Sequence, residues 1–518
     1  MMFPATMDKR YALQKQAPTR TFNLPAPTGG INARDALTDM DEHDAVDLTN
    51  IFPEAGYCVL RKGNASWATG LGGPIRSFLT WNGLDGTDKI FGGAGTSLFD
   101  VTASGAVGAA VITGLTNVDF QWTNIKTAAG AYLAAVNGAD SMRAFDGTSW
   151  STPAITGATS STFANVCQFK ERLWFSVANS LDLYYLGIQS VAGAATVFPL
   201  GAVFHRGGHV VGLGTFSNDS GEGPDDYFCI VSSNGEIAVY QGTDPSSATT
   251  WSLVGRFDVG PPIGRRCTIR WNGDLSILTQ DGVISMQAAL RFSRESEQKA
   301  AITGKIQTLF STYASAYSGN FGWMLCTYPK ARYLIVNVPT VENSAQIQLV
   351  MNTITGAWTR FVNLNGGCWG VANDLLYFGG NDGTVYQAND GFLDVMAPIP
   401  WEIQTSWQQV WGASNKRFTM VRPTLLVGVG ISYAITVDVD FQITTPTGIL
   451  APLANPFASM TWGWTWPGTW GGQNIVDQRW QTVGSLGTWA SVHILGSSNG
   501  GSLQCNAFEL GAMRGGPL

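Results

Sequence analysis

The chain has 518 residues, of which 45% are hydrophobic and only 13% charged, with a formal net charge of −7. Charged residues usually make up about a quarter of a globular chain, so the surface has little charge with which to stay solvated, and cover by neighbouring molecules is one reading of that. An acidic chain without a basic stripe is a poor non-specific binder of nucleic acid. The basic set Lys9, Arg10, Lys15 and Arg20 falls in residues 1–20, which read as a flexible arm.

Residues 21–75 open with Pro and Gly punctuation. They continue into a helical turn through Ala45, Val46 and Leu48, because Asp39, Asp41, Glu42 and Asp44 stand where carboxylates favour a helix N-terminus. His43 sits among these acids and reads as a solvated neighbour rather than a metal ligand, since no second His is near. This segment is expected to pack with the C-terminal part.

From residue 76 to 395 one shape recurs: an apolar run, a turn, and a second apolar run. "DKIFGGAGTSLFDVT" starts at Asp88, "AYLAAVNGADSMRAFDG" at Ala131, "ERLWFSVANSLDLYYLG" at Glu171 and "DYFCIVSSNGEIAVYQG" at Asp226. "GDLSILTQDGVISMQAA" starts at Gly273, "RYLIVNVPTVENSAQIQLVMN" at Arg332 and "DLLYFGGNDGTVYQAND" at Asp374. A period of about 40 to 45 residues with four strands per unit is the mark of a β-propeller, so each hairpin is half a blade and the intervening residues supply the other strands. The turns share a tolerance for positive φ or side chain-to-backbone turns and no common acid, which makes Asp382 a corner rather than a catalytic group. In one insert between blades, Ile302, Ile306, Leu309 and Phe310 fall on one helical face. That suits a short helix on the blade rim, with a contact to a neighbouring subunit as the alternative.

Residues 396–518 change character. β-Branched alternation runs from Ile431 to Thr445 and returns near "WASVHILGSS", which reads as an antiparallel sandwich or platform. Between them Trp462, Trp464 and Trp466 alternate, with Trp470 beyond, as a buried sandwich face or an exposed aromatic tip. The expected fold is all-β: a propeller with an additional antiparallel β-sandwich platform.

No catalytic signature stands out. The four His form no H-E-x-x-H, and there is no phosphate-binding Gly loop. The seven Cys are at least 38 residues apart, without zinc or disulfide spacing, and read as buried thiols made in a reducing cytoplasm. The loop "SNDSGEGPDD" places Asp219, Glu222, Asp225 and Asp226 within eight residues on a Gly-rich bend. It reads as an acidic solvated loop, with a Ca²⁺ site as the alternative. No run of 18 apolar residues spans a membrane and no signal-peptide core opens the chain, so a soluble product without cofactor, metal or enzymatic activity is expected.

Four segments together carry a family likeness: "PAPTGGINARDAL…DAVDLTNIFPEAGYCVLRKG", "FPLGAVFHRGGHVVGLGTFSNDSGEGPDDYFCIVSSNGEIAVYQGTDP" from Phe198, "IGRRCTIRWNGDLSILTQDGVISM" from Ile263 and "NTITGAWTRF" from Asn352. In this order they resemble the tubular tail nozzle proteins of short-tailed, podovirus-like bacteriophages. The resemblance implies a homo-oligomer of six subunits in the virion tail, synthesised in the host bacterial cytoplasm. It further implies an adaptor above, tail fibres or spikes docked to it, and double-stranded DNA passing through the channel without specific binding. A carbohydrate-binding or depolymerising propeller is the alternative, and a generic protein-binding propeller scaffold a third class.

Overall fold

The computed structural model describes residues 19–219, 224–291, 301–453 and 474–514. Five small antiparallel sheets follow one another along the chain. They begin with the strands Ile75–Asn82, Gln121–Thr127, Phe163–Phe169, Val210–Asp219 and Thr268–Trp271. Two further four-stranded units begin with Met324–Tyr328 and Gly366–Ala372 and belong to a fifteen-stranded sheet. The first strands of successive units lie side by side, and that of the seventh lies beside that of the first. These are the seven blades of a closed β-propeller. The seven hairpins of the sequence are its middle strands: Asp88–Ala94 with Ser97–Asp100 in blade 1, for example, and Leu375–Gly380 with Val385–Ala388 in blade 7.

The middle strands read as near-continuous apolar runs because a blade is covered on both faces. Five consecutive residues from Glu236 to Tyr240 are buried, as are seven from Tyr333 to Pro339. Each gap between blades holds its own core. Between blades 3 and 4, Trp174 stacks on Trp251 with ring centroids 5.3 Å apart, beside Phe228 and Tyr240. Between blades 1 and 2, Leu79 and Phe91 meet Leu133 and Phe145. Blade 7 takes its outer strand, Asn64–Thr69, from the far end of the chain, pairing Val385 with Ala68 and Ala388 with Asn64.

The platform is a sandwich. One sheet combines Arg20–Pro25, Ile51–Pro53 and Cys58–Leu60 with Lys416–Val427, Ile475–Asp477, Gln481–Gly487 and Leu503–Arg514. The other combines Asp44–Thr49 with Ala397–Thr405, Ile431–Val439 and Ala490–Ser498. Their inner faces meet in a core that includes Leu24, Leu48, Trp401, Phe418, Ile494 and Phe508 and runs on into blade 5 through Leu278 and blade 6 through Leu334. The second sheet is continuous with blade 6, where Gly30 pairs with Trp358 and Thr49 with Arg360. Propeller and platform thus share both hydrogen bonding and core.

Two local expectations are corrected. Ala45, Val46 and Leu48 lie in a strand, Asp44–Thr49, not a helical turn. The strand is paired on both sides, Ala45 with Ile31 and with Thr405, and the preceding acids have other roles: Asp44 accepts from Asn32 and Lys305. Tertiary pairing overrides the local charge pattern. The strand from Ile431 stops at Val439 rather than Thr445, because Asp440 and Phe441 take φ of +47° and +64° and break the extended run.

The insert forms a 3₁₀ turn, Gly304–Ile306, and a helix, Gln307–Tyr317, with Ile306, Phe310 and Ala314 buried and Ile302 and Leu309 packed at the edge of the same core. Trp462, Trp464, Trp466 and Trp470 lie outside the described residues.

Asp382 sits at its hairpin corner. One carboxylate oxygen accepts from the Thr384 amide at 3.1 Å and the other from the Tyr386 hydroxyl at 2.6 Å, while Gly383 takes φ +81°. Burial, and then Asp382, push the Tyr386 hydroxyl up to about 12. Asn can accept the same amide bond, so Asp382→Asn should cost under about 1 kcal/mol in a urea melt. A loss above about 2 kcal/mol would show that the charge itself matters.

Candidate functional site: the axial cavity of the propeller

The first strands of the seven blades stand side by side around the propeller axis. Gln121, Thr123 and Thr215 are half-buried there rather than packed in a core. Between these strands lies a cavity of about 500 Å³, a size typical of small-molecule sites. Its wall draws on blades 1 to 7, from Phe78 to Trp369, and includes Arg265, Arg266 and Arg270 from the start of blade 5.

These arginines are not alone. Arg76, at the start of the blade 1 inner strand, grips Asp119 with two bonds of 2.6 and 3.1 Å and reaches Glu342 at 3.0 Å. Its guanidinium lies 3.9 Å from the Phe321 ring centroid, and that of Arg266 lies 5.2 Å from the same ring. Burial works against the Arg76 charge, but the bonds to Asp119 and Glu342 outweigh it and hold its pKa above the ordinary value. Arg266 has no such carboxylate grip. Its Nη2 donates to the Arg76 carbonyl at 2.6 Å, its Nη1 has no hydrogen-bond partner, and burial lowers its pKa. Arg265 donates to the Asn137 carbonyl at 3.2 Å and Arg270 to the Ser217 hydroxyl at 3.2 Å.

The sequence did not reveal this group. Arg76 and Arg266 are 190 residues apart, and only the run "RRCTIR" from Arg265 hinted at it.

The acidic loop lies at the tip of the first hairpin of blade 4, where Ser217 pairs with Asp226, Asn218 with Asp225 and Asp219 with Pro224. Glu222 and the side chains of Asp219 and Asp225 lie outside the described residues. Asp226 is engaged by Lys170 and by Ser217, each at 2.8 Å, and the Lys170 bond is the main reason that its pKa is held low. His43 is exposed and bonded to Asp41 at 3.0 Å. Among the described residues no group of three His, Cys, Asp or Glu is arranged to hold a metal ion. All seven Cys are free thiols, and burial pushes Cys267, Cys326 and Cys505 up to about 12. They stay protonated at neutral pH and are poor nucleophiles.

A second polar cluster is buried in the platform. His493, its side chain 5% exposed, bonds Glu402 at 2.9 Å through Nε2 and lies 3.2 Å from Asp438 through Nδ1. Burial disfavours its charge, yet the two carboxylates prevail and raise the imidazole to about 9. It joins two strands of the second platform sheet and opens onto no cavity described above, so it reads as structural.

No protein-family model and no curated protein matches the chain. Solved structures similar to it are β-propellers in part or whole. The β-propeller domain of Cps50 (Swd1) from Myceliophteria thermophila is 11% identical, with a TM-score of 0.39 over 63% of this chain and 99% of that one. A quinonprotein alcohol dehydrogenase-like protein from Bacteroides thetaiotaomicron is 12% identical, with a TM-score of 0.32 over 60% of this chain and 69% of that one. YCF48 bound to D1 peptide is 10% identical, with a TM-score of 0.35 over 65% of this chain and 96% of that one. Likeness this distant carries no functional argument. The propeller is established by the chain's own strand pairing.

Proposed function

We propose that the chain is a structural subunit of a short-tailed phage tail: the nozzle ring that extends the ejection channel below the adaptor and docks fibres or spikes. The observation that carries this reading is where the resembling segments fall. The first supplies the N-terminal strands of the platform, Gly30–Ile31 to Cys58–Leu60. The second runs from the outer strand of blade 3 through the middle strands of blade 4, and the third forms blade 5. The fourth forms the outer strand of blade 6, which hydrogen-bonds to the platform. The likeness therefore follows one continuous side of the molecule, from platform into neighbouring blades.

Three features support it. A platform that shares a sheet with the propeller forms a stiff wedge, and a wedge with one heterologous interface closes into a ring. The low charge suits a subunit with much of its surface covered. A net acidic subunit adds little counterion-release affinity for passing DNA. In this reading DNA runs between subunits, because a cavity of about 500 Å³ holds a small molecule rather than a duplex. The depolymerase alternative calls for paired carboxylates facing an axial pocket, whereas the wall of this one carries three guanidinium groups.

Mass photometry of the purified chain, and negative-stain images of tails labelled with antibody to it, test the proposal. Six copies on the tail axis are expected; a monomer, or a trimer off the axis, would overturn it. Lys placed at several bore-facing loop positions should slow DNA ejection, with the effect shrinking as salt rises. Ejection rates from assembled particles at two ionic strengths provide the check.

A further inference from the structure

The axial cavity inverts the charge balance of the chain. The molecule has 37 acidic residues against 30 basic ones, yet the cavity wall contains Arg265, Arg266 and Arg270 and no Asp or Glu. The neighbouring carboxylates are already engaged, Asp119 by Arg76 and Asp226 by Lys170. Each of the three wall guanidiniums donates instead to a neutral oxygen: the Asn137 carbonyl, the Arg76 carbonyl and the Ser217 hydroxyl. Arg266 keeps a buried Nη1 without a hydrogen-bond partner. Arg266 and Arg270 feel Asp119 and Asp226 without bonding them, and cations gathered in a partly enclosed space with hydrogen bonds only to neutral acceptors repel one another, a repulsion that an incoming anion relieves.

We propose that this cavity binds a small anionic ligand, one that carries a carboxylate or a phosphate on a polar body. Arg265 and Arg270 are both exposed at the cavity and free to reach a ligand. Arg265 lies in the bend before the first strand of blade 5 and Arg270 within that strand, so a ligand can meet a guanidinium at either end. Arg266 sits behind them and adds to the field without needing to touch the ligand. Gln121, Thr123 and Thr215 offer amide and hydroxyl groups to the polar body, and Trp122 a flat apolar surface. Arg is suited to this task because its planar fork matches both carboxylate and phosphate oxygens. The inference does not depend on the tail assignment; it would hold for any protein built on this propeller.

The test is calorimetric titration of the full chain at low ionic strength with three probes on one ring: D-glucuronate, glucose 6-phosphate and uncharged D-glucose. At least one charged probe should bind about tenfold or more tighter than glucose, and which one binds identifies the oxyanion. The double variant Arg265→Gln/Arg270→Gln should lose about tenfold or more in affinity. Its thermal midpoint should stay that of the parent, because neither side chain is buried. Arg206→Gln serves as a control, since it removes an exposed arginine paired with Asp258 outside the cavity. Three outcomes would overturn the proposal: no charged probe binds, glucose binds as well as the charged probes, or the double variant binds like the parent.

Discussion

Replacing Arg61 with alanine should lower the unfolding free energy by about 3–5 kcal/mol, the largest effect expected of any single substitution described for this molecule. The side chain is 1% exposed and all five of its N–H donors are used. Nε donates to Asn50, Nη1 to the Lys62 carbonyl and Asp394, and Nη2 to the Val362 carbonyl and Asp394. Asp394 also accepts from Asn64, at the head of the strand that completes blade 7. Truncation would leave a nearly buried carboxylate without its cation and three further acceptors without their donor. The double variant Arg61→Leu/Asp394→Asn removes both charges and should recover part of the loss. Urea midpoints of the two single variants and the double provide the measurement. A loss under about 1 kcal/mol for Arg61→Ala would mean that water reaches the pair and screens it.

The second large effect is a loss of stability on the alkaline side, through His493. Its imidazole titrates near 9 in the folded chain against about 6.5 in an unfolded one. The stabilisation is therefore fully present below about pH 6.5 and is lost as pH rises through about 9. A shift of this size corresponds to about 3 kcal/mol in total, of which about 2 kcal/mol should go between pH 6.5 and 8.5. The seven thiols, whose pKa values are also raised, add a loss of comparable size as pH approaches their ordinary value of about 8.5, and that loss is common to parent and variant. The difference in slope between the parent and a variant without the imidazole belongs to His493. His493→Gln should be less stable at pH 6.5, because Asp438 is fully buried and keeps no cation, and between pH 6.5 and 8.5 it should lose about 2 kcal/mol less than the parent. Equal slopes in parent and variant would remove His493 as the cause.

The legible part of the fold was the part buried on two sides. Blade middle strands such as "LWFSV" and "YLIVNV" face neighbouring blades on both faces, so their composition alone marks them. The first strands were not legible. "QWTNIKT" mixes polar and apolar residues on both faces, and Gln121, Trp122 and Thr123 in succession line the axial cavity, which leaves no clean signal. The short exposed Gly105–Ala106 could not be read either. Asp44–Thr49 misled because six residues with acids before them look alike as helix start or strand, and only Ile31 on one side and Thr405 on the other decide. The axial arginines were illegible for a related reason: a ring gathers residues by blade, not by sequence distance. Asp382, by contrast, could be placed from its Asn-Asp-Gly turn alone, and its Thr384 bond is that turn's own.

The outer strand of blade 7 imposes an order on how the molecule can be made. Asn64–Thr69 is synthesised before any blade exists, yet its hydrogen-bonding partner is Val385–Ala388. At about 5–20 residues per second, tens of seconds separate the two. During that interval blades 1 to 6 can fold as they emerge, each against the last, while the ring remains an open arc with an unpaired edge. Such an edge is a template for another nascent chain. The platform is later still, since Arg20–Pro25 waits for Leu503–Arg514. A ribosome stalled anywhere before blade 7 thus holds an arc that can only stick or be degraded, and rapid completion of the chain becomes a condition for its yield.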